Sequence, residues 1–82
     1  MPKEFKMMGL VNIKTEVGMF DDVVAKLKTV EEVKGIYGAY GEVDIITLVE
    51  TSEGYLSDVV LKKIRTIEGV TDTNTTVLIP LS

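Results

Sequence analysis

Leu27-Lys28-Thr29-Val30-Glu31-Glu32-Val33 returns as Ile64-Arg65-Thr66-Ile67-Glu68-Gly69-Val70, an offset of 37 residues (27 to 64). Under the same offset Val23, Val24 and Leu27 meet Val60, Leu61 and Ile64. Each copy closes an amphipathic helix and opens a strand. The chain therefore reads as two βαβ units in tandem, which together make a ferredoxin-like α+β sandwich of order βαββαβ.

Working outward, Lys6 to Thr15 reads as the first strand, with Met8, Leu10 and Asn12 on one side and Met7, Val11 and Ile13 on the other. Glu16-Val17-Gly18 makes a turn. Phe20, Val23, Val24 and Leu27 then fall at i, i+3, i+4 and i+7, one face of a helix. Asp21 and Asp22 in its first turn and Lys26 and Lys28 near its end suit the helix dipole. Val33 to Tyr40 is the second strand. Gly35, Gly38 and Gly41 in or beside it predict a bulge or a close backbone approach. Gly41-Glu42-Val43 is a tight connection to the third strand, Asp44 to Thr51. Ser52 is expected to cap the second helix, whose stripe is Leu56, Val60, Ile64 and Ile67. Gly69 reads as the stop of that helix, and Val70 to Ile79 as the fourth strand.

This order places both helices on one face of a four-stranded antiparallel sheet. The other face should be polar if it meets water. The third strand, Ile45-Ile46-Thr47-Leu48-Val49, is apolar on both faces instead, and the first strand offers apolar residues to both sides. A second sheet packed on the open face is the expectation, giving at least a homodimer; scattered exposed aliphatics are the alternative.

At 82 residues the chain is expected to form one domain, residues 1–82, with a small core. It has no cysteine and no histidine, which removes disulfides, thiolate metal sites and the commonest general base. No cofactor is implied. The net charge is −4, and Lys and Arg do not gather into a basic stripe, so direct nucleic-acid binding is not expected. No membrane-spanning apolar run or secretory signal is read, and a cytoplasmic protein is the expectation.

Three features could carry chemistry. Glu42 and Asp44 place two carboxylates at the mouth of a turn in which Gly41 can take positive φ. Turn amides can hold a carboxylate and a side-chain carboxylate can hold an ammonium, which suits a free amino acid. Asp and Gly are equally ordinary hairpin residues. Thr71, Thr73, Thr75 and Thr76 with Asn74 line the fourth strand and could bind polar groups, although Thr is also a common strand residue. Tyr37 and Tyr40 lie on opposite faces of the second strand, and the sequence does not say which lines a site. No nucleophile with a base, no phosphate loop and no metal-ligand cluster is present.

The span Val33-Lys34-Gly35-Ile36-Tyr37-Gly38-Ala39-Tyr40-Gly41-Glu42-Val43-Asp44-Ile45-Ile46 resembles the effector-binding (RAM) domain of Lrp/AsnC transcription regulators. So does Leu61-Lys62-Lys63-Ile64-Arg65-Thr66-Ile67-Glu68-Gly69-Val70 with the Thr-rich strand and Val77-Leu78-Ile79 behind it. The resemblance covers nearly the whole chain. It implies a dimeric α/β barrel of two sheets packed face to face, no enzymatic activity, and an amino-acid effector bound at subunit contacts. Carried over by position, the ligand-binding residues are Tyr40, Gly41, Glu42 and Asp44 with Thr73 and Thr75. Val43 departs from the family's aromatic. The family's helix-turn-helix has no counterpart, so the resemblance implies a stand-alone effector domain, a homodimer or higher homo-oligomer, able to co-assemble with full-length regulators.

Other readings are an oligomerisation partner with a vestigial site, a cofactor-independent enzyme of the dimeric-barrel type, and an ACT-type domain. The ACT-type ligand would lie near Glu16-Val17-Gly18.

Overall fold

The computed structural model describes residues 6–39, 41, 43–52 and 54–81. The elements are β1 (Lys6–Thr15), α1 (Phe20–Leu27), β2 (Val33–Gly38), β3 (Ile45–Ser52), α2 (Leu56–Val59) and β4 (Val70–Leu78). Between α2 and β4 the helix continues as a π-helical turn, Val60–Ile64. The strands form one antiparallel sheet of order β2-β3-β1-β4. This is the βαββαβ architecture the repeat implies. β1 and β3 take the centre and the strand that follows each helix takes an edge.

Strand alternation builds the core. Val11, Ile13, Ile45 and Val49 point to the helices and are buried. Val23 and Leu27 of α1 meet them from one side, and Leu56, Val59, Val60 and Ile64 from the other. Burying each such side chain contributes about 1.5–3 kcal/mol relative to exposure. Thr47 shares this face, fully buried, and its hydroxyl donates to the Val11 carbonyl at 3.2 Å. That bond is what permits a polar group in the core.

The opposite face is apolar as well. Leu10 pairs with Leu48, Asn12 with Ile46 and Met8 with Leu78, so these side chains share the surface away from the helices. Tyr37, opposite Ile46, joins them. Its ring lies over Gly35, where an added Cβ would stand 2.9 Å from it. The register shifts between Val33 and Gly35, the irregularity that the glycines of this strand predict. The close approach there is by an aromatic ring.

Two expected helix signals act differently. Ser52 is the last residue of β3, pairing with Lys6, and it does not cap α2. Tyr55 holds the cap position with no side-chain cap bond, its N–H donating to the Ser52 carbonyl at 3.1 Å. The third strand runs one residue further than expected, so the serine is spent on the sheet. Gly69 comes five residues after the helix ends at Ile64 and does not stop it. It has φ 99°, and its carbonyl accepts the Glu16 N–H at 2.8 Å. A Cβ there would fall 2.8 Å from Cβ of Met19, so this glycine lets the chain pass beneath the start of α1. Its repeat counterpart, Glu32, accepts from Nζ of Lys63 at 2.7 Å. That hydrogen bond, opposed by desolvation and aided by Lys34, holds the Glu32 carboxyl below its ordinary range. Oε1 of Glu32 is buried with no hydrogen-bond partner among the described residues.

Candidate functional site

Among the described residues, Gly41 and Asp44 shape the β2–β3 turn. Gly41 has φ 127°, a conformation L side chains rarely adopt. Ala39 N–H donates to the Asp44 carbonyl at 2.9 Å, and Asp44 N–H to the Ile13 carbonyl at 3.1 Å. Oδ2 of Asp44 accepts the Thr15 N–H at 2.8 Å and the Thr15 hydroxyl at 3.2 Å. Asp44 thus ties the turn to the end of β1. Tyr40 and Glu42 lie outside the described residues.

Thr73 and Thr75 sit on edge strand β4, opposite Ile13 and Val11, so both face the helix side. Asn74 and Thr76 face the open side. The Thr71 hydroxyl donates to the Lys14 carbonyl at 3.2 Å. Between β4 and the second helix runs a groove of about 370 Å³. Leu56 and Val60 form its floor, Ser57, Leu61 and Arg65 one rim, and Thr73, Thr75 and Val77 the other. Ser57, Leu61 and Arg65 stand at i, i+4 and i+8. In a plain α-helix each i+4 step drifts about 40° past a full turn. The wider π turn, closed by Arg65 N–H on the Val60 carbonyl at 2.8 Å, counters that drift and keeps the row along the strand.

The hydroxyls of Thr29, Thr47 and Thr66 are spent on backbone carbonyls, and that of Thr15 on Asp44. Those of Thr73 and Thr75 have no protein partner among the described residues. Neither does the Arg65 guanidinium, and no carboxylate lines the groove among the described residues. Such a groove offers a carboxylate a cation and hydroxyls, and offers an aliphatic chain an apolar floor.

The turn and the threonines do not meet within one chain. Ile13 pairs with Ile45 on one side and Thr73 on the other, so β1 separates them. Two strand spacings place them about 10 Å apart. The sequence reading brought out Thr73 and Thr75 but missed Ser57, Leu61 and Arg65, which join them only once helix and edge strand are packed. A second, wider groove between α1 and the Thr66–Glu68 turn contains Thr29 and Thr66, both already bonded to carbonyls. No three or more Asp or Glu residues cluster to hold a metal among the described residues. No described helix is long and apolar enough to cross a membrane.

Residues 9–80 match the family model of the Lrp/AsnC ligand binding domain. The chain belongs to the Lrp/AsnC ligand-binding family. Solved structures agree. FFRP-DM1 is 32% identical with a TM-score of 0.84, the match covering 89% of this chain and 99% of that one. AsnC of E. coli, at 24% identity, shares the fold with a TM-score of 0.85, over 90% of this chain and 51% of its own. A feast or famine regulatory protein of M. tuberculosis, complexed with L-methionine, is 28% identical with a TM-score of 0.77, over 90% and 50%. The chain thus spans about half the length of those two regulators and nearly all of FFRP-DM1. No curated protein matches it. As an Lrp/AsnC domain it belongs to a family defined by ligand binding and typically non-enzymatic, and the described residues comprise the effector-domain fold without a helix-turn-helix.

Proposed function

We propose that this chain is an effector-binding regulatory module that takes a free amino acid, or a similar small metabolite, between subunits in the cytoplasm. The observation that carries this reading is the open groove at Thr73 and Thr75, two hydroxyls without partners among the described residues of a domain from a ligand-binding family. The β2–β3 turn, at Gly41 and Asp44, lies β1's width away, so one subunit's turn would meet another's groove. Threonine hydroxyls would take the α-carboxylate, and Glu42 or Asp44 the ammonium. The apolar open face, where Leu10, Ile46 and Leu48 otherwise meet water, supports a homodimer in this arrangement. Higher assembly, alone or with full-length Lrp/AsnC regulators, would then bring turn to groove.

A second reading has its own observation. Oδ2 of Asp44 is already committed to Thr15, and Val43 stands where the family has an aromatic. Both suit an oligomerisation partner whose site is vestigial. A thermal-shift panel of the common amino acids, L-methionine included, separates the two. A ligand at 100 times its Kd adds about 2.7 kcal/mol. The effector reading expects such a shift, and expects Asp44→Ala to weaken binding by about 10- to 100-fold if a charge-assisted bond to the ammonium is lost. If Asp44→Ala lowers stability equally with and without ligand, its role is the Thr15 tie alone. No shift with any amino acid at millimolar concentration favours the vestigial reading.

A further inference from the structure

We infer that Arg65 reads the carboxylate of the ligand, and that the second repeat keeps its groove open for this purpose where the first repeat carries Phe20 and Ile36. The inference rests on the effector reading above and adds a cation to the hydroxyls that reading gives the α-carboxylate.

The internal repeat supplies the argument. At the offset of 37, Ser57 corresponds to Phe20, Thr73 to Ile36, Thr75 to Gly38 and Arg65 to Lys28. The first unit carries larger apolar side chains at this corner. Ile36 packs against the core, and a Cβ on Gly38 would stand 3.7 Å from Cζ of Phe20, so the phenylalanine covers that glycine. The second unit places a small hydroxyl where the first has a ring, and another where the first has an isoleucine. Apolar floor residues remain beneath, so truncating the rim opens a groove between helix and edge strand. Leaving Leu61 and Val77 about half exposed has no benefit to an isolated fold, at 53% and 49%.

Arg65 supplies the chemistry. Its guanidinium is always protonated and presents a planar fork matched to a carboxylate. It is the one cation lining the groove among the described residues, faces no carboxylate there, and has no protein partner among the described residues. Across from it stand the hydroxyls of Thr73 and Thr75, without partners among the described residues. This combination suits a monocarboxylate with a short aliphatic or thioether chain, the chain on Leu56 and Val60 and the carboxylate at Arg65. Among the described residues the groove has no carboxylate for an ammonium, which falls to the turn carboxylates of another copy.

The test is a cycle between protein and ligand, read by calorimetry on the full chain. Wild type and Arg65→Gln are each titrated with L-methionine and L-leucine, and with the corresponding amino-acid amides, which keep the ammonium and lose the carboxylate. Arg65 is exposed, so its substitution leaves the fold intact, and the unliganded melting temperature checks this. The inference expects Arg65→Gln to weaken the acids by roughly 10- to 100-fold and to leave the amides' weaker binding unchanged. Arg65→Lys should recover part of the loss. Equal weakening of acid and amide, or no weakening of the acids, overturns it while leaving the effector reading in place. If neither acid nor any other amino acid binds wild type, the effector reading falls and this inference with it.

Discussion

The two βαβ units share a seven-residue signature, one sheet and one core, yet they finish differently. The first unit keeps its bulk: Phe20 lies over Gly38, Ile36 packs inward, and Glu32 pairs with Lys63 at the junction. The second is open. Its helix widens into a π turn, its rim is Ser57, Thr73 and Thr75, and its junction is a glycine under α1. Duplicated patterns preserve what the shared core demands, which is the buried Val23/Val60 and Leu27/Ile64 pairs. They diverge where side chains leave the core. Function in this fold is therefore to be sought where one copy lacks the bulk that the other retains.

Substitutions can break the comparison at its base. Both units lean on the helix-facing side of β3, so Ile45→Asp, at a fully buried site, should unfold the chain, a loss of more than about 4 kcal/mol. Ile46→Asp, on the open face, should keep the fold and instead reduce the mass seen by light scattering. If both variants merely dissociate, the assignment of faces is wrong. At the junctions the effects should be smaller and unequal. Gly69→Ala must accommodate positive φ and a Cβ 2.8 Å from that of Met19, at a cost of about 2–4 kcal/mol in chemical denaturation. Glu32→Gln, at the equivalent position of the first unit, should cost only about 0.5–1 kcal/mol, because Lys63 is half exposed. Equal costs would mean the two junctions do the same work.

The Glu32 effect also has a pH signature. Lys63 holds this carboxyl below its ordinary value of 4.5. A group whose pKa is lower folded than unfolded contributes stability above the unfolded value. That contribution is lost as the pH falls from 4.5 through the folded value. The difference between wild type and Glu32→Gln should therefore be constant from neutral pH down to about 5 and shrink below it. A difference that grows on acidification would contradict the ion pair.

Much of this was legible in the chain. The repeat gives the element order, and period-two alternation gives the faces of β1 and the limits Lys6–Thr15 unchanged. Ser52 and Gly69 were misread because both residue types serve turns as readily as helix ends, and only the Lys6 pairing and the Met19 contact tell the roles apart. Thr73 and Thr75 stood out as alternate hydroxyls. Arg65 did not, since a cation near a helix end reads as dipole charge until a π turn aligns it with Ser57 and Leu61. The available signal was the repeat itself, in which Ser57 and Thr73 of the second copy fall on Phe20 and Ile36 of the first.

The most direct measurement places the residues of the first unit into the second. In S57F/T73I the groove should fill, leaving the unliganded melting temperature at or above that of wild type. With L-methionine or another bound amino acid at 100 times its Kd, wild type should rise on the order of 10 °C and S57F/T73I should not move. An equal rise in the folded variant would contradict the claim that the open groove of the second repeat is the effector site.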